Sequence, residues 1–155
     1  MQSPMSGRWS NVAMASRDPL SNPTRRMRTG TTAEALVATH LAGLGWTVLA
    51  RNVRIGRSEL DLLAVDPGPP RTVVVVEVRA NRQSSFGRPE ERVDPAKLRA
   101  VYRGALALRA GGTLPDGCLV PRLPLRVDLV TVEVRPTLAS GVGGPVLRHL
   151  RGVIG

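Results

Sequence analysis

Residues 58–79, SELDLLAVDPGPPRTVVVVEVR, hold two apolar runs separated by a chain-reversing segment. Val73 to Val76 is an unbroken β-branched run and reads as a buried strand leading straight into Glu77. Ser58 to Leu63 reads as a second strand. Asp66-Pro67-Gly68-Pro69-Pro70 between them is made of turn formers that cannot continue a ladder. The expected unit is a hairpin. Side chains alternate across a strand, so Glu59 and Asp61 are expected on one face, and Glu77 and Arg79 likewise. Closing the hairpin brings the two charged faces together. Carboxylates crowded among valines and leucines repel one another and lose solvation. A divalent cation relieves both costs, and oxygen-only ligands suit Mg2+ or Mn2+. The competing reading is an exposed strand face with ordinary surface charges.

Working outward, Thr31-Thr32-Ala33-Glu34 fits a capping box, and Val37, Leu41 and Leu44 then give one apolar stripe of a helix ending near Gly43 and Gly45. A strand is expected over Trp46–Arg54, followed by the Arg54-Ile55-Gly56-Arg57 turn into the strand at 58–65. After the strand at 72–79, residues 81–89 read as a polar loop. Asp94-Pro95 is an N-cap followed by proline at the first helical position. Leu98, Val101, Ala105 and Leu108 form that helix's apolar face, and Gly111-Gly112 closes it. Leu125–Val134 reads as a strand, with Asp128, Val130, Val132 and Val134 on one face, and Val146–Leu150 as a short edge strand. The order αβββαβ(β) predicts an α/β domain with a mixed central sheet flanked by helices. Residues 1–28, without periodicity and rich in Ser, Arg and Pro, are expected to be a disordered basic arm preceding a domain at 29–155.

The chain has 155 residues and a formal net charge of +10. That excess suggests a polyanionic partner, nucleic acid before a membrane surface. Of 22 basic residues only Lys97 is lysine, a bias shared with the abundant Ala, Val, Gly and Pro. The aromatic residues are Trp9, Trp46, Phe86 and Tyr102. So few cannot build a row of base-stacking platforms, so nucleic-acid contacts are expected to be mainly to phosphates. Arg54, Arg57, Arg82 and Arg88, in the turn and loop beside the acidic strands, are the candidate contacts. The single Cys118 excludes an internal disulfide and a cysteine-based zinc site and suits a reducing cytoplasm. No apolar run approaches a membrane span. His40 and His149 read as isolated.

Taken in order, Gly30-x-x-Ala33-Glu34, Gly45-Trp46 through Arg51-Asn52, Ser58-Glu59-Leu60-Asp61-Leu62-Leu63-Ala64, Val76-Glu77-Val78-Arg79, Lys97 and Arg126-Val127-Asp128-Leu129-Val130 resemble the YraN-type family of small bacterial proteins. That family is similar to Holliday-junction resolvases, which have the restriction-endonuclease-like fold. The resemblance implies a metal-dependent endonuclease acting on branched or flapped DNA, with Asp61 and Glu77 holding the metal and Glu59 as an outer ligand. It also implies a helix glutamate, Glu34, reaching the metal, which stands against the capping-box role. Where the wider superfamily has a lysine, this chain has Arg79. Arginine cannot give up its proton near neutral pH, although it can still stabilise charge on phosphorus. Two accounts follow: Lys97 supplies the ammonium from the next helix, or the chain is a DNA- or RNA-binding or assembly module that has lost the catalytic lysine. Lys97 beside an apolar stripe also reads as an ordinary solvated flank. Resolvase relatives cut symmetrically as dimers, so a homodimer is implied by analogy.

Overall fold

The computed structural model describes residues 23–82, 94–134 and 144–154. Its elements are α1 (Pro23–Gly43), β1 (Thr47–Ile55), β2 (Ser58–Asp66), β3 (Thr72–Arg82), α2 (Pro95–Gly111), β4 (Leu125–Val134) and β5 (Pro145–Ile154). The strands form one sheet in the order β1-β2-β3-β4-β5. β1, β2 and β3 are antiparallel neighbours, β3 and β4 are parallel, and β5 returns antiparallel to β4. This is a mixed α/β architecture, compatible with a restriction-endonuclease-like fold.

The valine run explains the layering. β3 lies at the centre of the sheet, and its side chains feed both faces alternately. Val73 and Val75 pack with Val101, Ala105 and Leu108 of α2. Val74 and Val76 pack with Ala33, Val37 and Leu41 of α1. A strand covered by a helix on each side needs apolar residues at every position, and this one has them until Glu77. α2 is bounded as its sequence dictates. The Asp94 side chain accepts from Ala96 N at 2.8 Å, Pro95 opens the helix, and Gly112 closes it in the left-handed conformation with φ 68°.

Several expectations change. Helix α1 begins at Pro23, so Thr31-Thr32-Ala33-Glu34 lies in its interior and not at a capping box, and residues 23–28 of the expected arm are helical. Leu44 lies past the helix end and is exposed, while Ala33 extends the buried stripe toward the N-terminus. The edge strand β5 is twice the expected length, because a buried carboxylate secures it. Asp128 accepts from Arg126 Nε at 2.7 Å, from His149 Nε2 at 2.8 Å and from the Gly152 amide at 2.9 Å. His149 is thus bonded, not isolated, and its ring lies against Trp46. Residues 1–22 and Arg88 lie outside the described residues. Among the described residues no helix is long and apolar enough to cross a membrane.

α2 sits close to the sheet at one point. A Cβ added to Gly104 would meet the Ser58 Cβ at 2.7 Å, and Ser58 Oγ donates to Ala100 O at 2.9 Å. Gly104→Val is therefore expected to destabilise the fold by about 1–3 kcal/mol in urea unfolding. Adding Ser58→Gly should recover part of that loss; strictly additive effects would show that this contact does not set the helix position.

Candidate active site

The β2–β3 hairpin has the expected register. Leu62 pairs with Val76 and Leu63 with Val75, so the next residues outward, Asp61 and Glu77, fall opposite each other. The backbone ladder stops there. The Asp61 carboxylate takes over, accepting the Val78 amide proton at 2.8 Å. That bond satisfies a strand amide and fixes Asp61 in the opening between the strands.

Side-chain alternation in β2 breaks at the same place. Leu60, Leu63 and Val65 pack on the α2 side, Leu62 and Ala64 on the α1 side. The charges of both Asp61 and Glu59 act on Glu34, Asp61 the more strongly. Glu59 is half exposed, and its carboxylate lies 3.9 Å from Arg54 at the rim. Asp61 faces Glu77.

Glu77 is the most constrained member. Its side chain is 1% exposed, with Arg79 Nη2 at 3.0 Å and Lys97 Nζ at 3.7 Å from the same oxygen, Oε1. Arg79 lies two residues along the same strand, while Lys97 enters from the first turn of α2. The other oxygen, Oε2, is buried without a hydrogen-bond partner. Burial first, and the adjacent Asp61 second, push the Glu77 carboxyl up to about 7, against the pull of Lys97 and Arg79.

Glu34 approaches the opening from α1. Its Oε2 is likewise buried without a partner. Burial raises the Glu34 carboxyl, a hydrogen bond from Asn52 opposes the rise, and the Asp61 charge adds to it. Asn52 sits within β1 at φ 51°, in the left-handed region that costs energy for a non-glycine residue. That bend and its side-chain bond to Glu34 were not foreseen from the sequence; an asparagine inside a strand pattern is the signal that was available.

Glu34, Asp61, Glu77, Arg79 and Lys97 thus gather at one opening, while Glu59 and Arg54 stand exposed beside it and Arg57 is exposed in the β1–β2 turn. Arg82 ends β3, with only its backbone described. Among the described residues no three acidic, histidine or cysteine side chains already form a metal-holding group. The two orphaned carboxylate oxygens and the facing acids nevertheless make a donor set of the right chemistry for a hard cation. The far end of the sheet carries a different cluster that the sequence reading also missed, Asp66, Asp128, Arg126, Arg151 and His149 around Trp46.

The fold and site define a small α/β domain with an acid- and cation-lined opening at the end of its central hairpin. Residues 33–132 match the uncharacterised protein family UPF0102. The chain is 38% identical over 115 residues to a UPF0102 protein of Deinococcus radiodurans, covering 74% of this chain and 87% of that one. A UPF0102 protein of Corynebacterium efficiens is 36% identical over 130 residues, 84% of this chain and 94% of its own. One from Symbiobacterium thermophilum is 37% identical over 110 residues, 70% of this chain and 85% of its own. The chain belongs to the UPF0102 family, as the YraN-type resemblance of its motifs implied.

The raised Glu77 carboxyl makes the metal-free protein pH-dependent in a defined direction. Below the ordinary carboxyl value of 4.5 the group is protonated in both the folded and unfolded chain. As pH rises from 4.5 to about 7, the unfolded chain ionises first and folded stability falls. The full loss, roughly 3 kcal/mol, is present above that range. Glu77→Gln is expected to remove this step. Urea unfolding with chelator at pH 5 and pH 8 checks it, and parallel pH profiles for wild type and variant would assign the titration to another group.

Proposed function

We propose that this protein is a metal-dependent endonuclease of cytoplasmic nucleic acid, hydrolysing phosphodiesters in branched or flapped DNA. The observation that carries the reading is the convergence of Arg79 and Lys97 on one oxygen of a buried Glu77 that faces Asp61. A purely structural ion pair needs one cation; two cations and two acids at an opening fit a site where negative charge arrives from outside. Asp61 and Glu77 would hold Mg2+ or Mn2+, with Glu34 as a further oxygen donor and Glu59 at the rim. A divalent cation held there would lower the pKa of a bound water and shield the phosphoryl oxygens.

The chain's own groups divide the remaining work. The Val78 amide, donating to Asp61, keeps that carboxylate aimed into the opening. Arg79 is a fixed cation that stabilises charge developing on phosphorus. Lys97, about one-third exposed and beside Glu77, is the one basic side chain here able to exchange a proton, so it takes the role that Arg79 cannot. Exposed Arg54 beside the opening and Arg57 in the β1–β2 turn would meet phosphates flanking the cut.

Arg79 at 3.0 Å from Glu77 favours a second reading, because that guanidinium competes with a cation for the carboxylate. On that reading the chain binds DNA or RNA without cutting it. Manganese titration by calorimetry and cleavage of labelled duplex, flap and four-way-junction substrates separate the two. The endonuclease reading expects manganese binding that is lost in Asp61→Ala and in Glu77→Ala. It also expects cleavage by wild type, with Lys97→Ala costing on the order of 10²-fold or more and Lys97→Arg failing to restore it. A wild type that binds the substrates and cuts none, together with an Arg79→Lys variant that gains cleavage, would establish the second reading instead.

A further inference from the structure

Two open clefts meet at the start of β4, where Pro124 and Leu125 line both. One, of about 1280 Å³, lies beyond the C-terminal end of α2 and is lined by Arg109 and Arg122 with no acidic residue. The other, of about 630 Å³, lies between Trp46 and the 67–70 turn and is lined by Arg126, Arg151 and Asp66. The charged lining of the combined trough is four arginines against one aspartate. That aspartate engages Arg126 Nη2 at 2.9 Å and Arg151 Nη1 at 3.6 Å, and buried Asp128 beneath also holds Arg126, so the excess positive charge rests on Arg109 and Arg122. Arg109 and Arg122 are exposed. Prolines and leucines form the walls between them, and low-dielectric walls concentrate the field of the charges they separate.

The trough is not part of the acidic site. Leu125 pairs with Val73, four residues before Glu77 on the same strand, a separation of roughly 13 Å at about 3.3 Å per residue. Its aromatic residue is no stacking platform either. Trp46 is 5% exposed and lies beneath the guanidinium groups of Arg126 and Arg151, centred 5.8 and 5.7 Å from the ring. Whatever binds here is recognised by its negative charge and not by a base.

We propose that this arginine-lined trough is a second nucleic-acid contact, gripping the phosphate backbone away from the acidic site. The proposal rests on the nucleic-acid reading of the acidic site. It adds that the two contacts lie toward opposite ends of α2, with Lys97 and Arg109 about 18 Å apart at about 1.5 Å per residue. Phosphate contacts of this kind position a substrate without reading its sequence.

The test is fluorescence anisotropy of a labelled duplex and a labelled four-way junction across a salt series. It uses the full-length chain as wild type, R109A/R122A and R109K/R122K, each with its fold checked by circular dichroism. The alanine pair is expected to weaken binding about tenfold at low salt and to lower the slope of log affinity against log salt by about two. The lysine pair should keep the wild-type slope, since charge and not packing is at work. If wild type binds with strong salt dependence and the alanine pair matches it, this proposal fails while the nucleic-acid reading stands. If wild type binds neither probe, both fail together. A sedimentation arm with phosphatidylglycerol vesicles identifies the competing occupant. Loss of vesicle binding in the alanine pair with unchanged anisotropy would assign the trough to lipid headgroups and overturn the proposal.

Discussion

The pairing of β2 with β3 is the constraint on which the site depends. With Leu62 opposite Val76, Asp61 is forced opposite Glu77. A slip of one residue would send the apolar set of β2 to the wrong faces, so the two helix-covered cores hold the register. The carboxylates need no attraction for each other to meet; the valines and leucines behind them impose the encounter. The ladder then ends where the acids begin, and Asp61 accepts the amide that the missing backbone bond would have left unsatisfied.

Two buried carboxylates in this sheet show how environment separates a site from a scaffold. Burial alone would push both upward. At Asp128, donors from His149, Arg126 and the Gly152 amide outweigh burial and hold the group down to about 2. At Glu77 the flanking cations do not outweigh burial and the Asp61 charge, and one oxygen has no donor at all. The first carboxylate is saturated and ties β5 to β4. The second retains coordinating capacity. A group left short of partners inside a packed fold persists only where the surrounding core enforces it.

Much of this was legible in residue order. The hairpin followed from a β-branched run, a Pro/Gly turn and a second apolar run. α2 followed from Asp94-Pro95 at one end and Gly111-Gly112 at the other. The facing of Asp61 and Glu77 was legible because register is a local consequence of that hairpin. The reach of Lys97 to Glu77 was suggested only by resemblance, since nothing in periodicity says how far a helix side chain lies from a strand. The start of α1 was misplaced because a hydroxyl three residues before a glutamate resembles a cap wherever it occurs. Strict alternation is interrupted between Leu60 and Leu62, where the strands part, and no local pattern announces that. The Asp128 network joins residues from β2, β4 and β5, and the bonds across it depend on tertiary closure that no local pattern encodes.

The close approach of Gly104 to Ser58 has a consequence for how such a chain diverges. Asp61 and Glu77 ride on the hairpin, whereas the lysine rides on a helix whose height above the sheet is set by one missing methyl group. Drift at this remote glycine would therefore retune the spacing between ammonium and carboxylate while every polar residue stayed the same. Homologues with identical charged residues can then differ in chemistry, and a comparison of their polar positions alone would not reveal why.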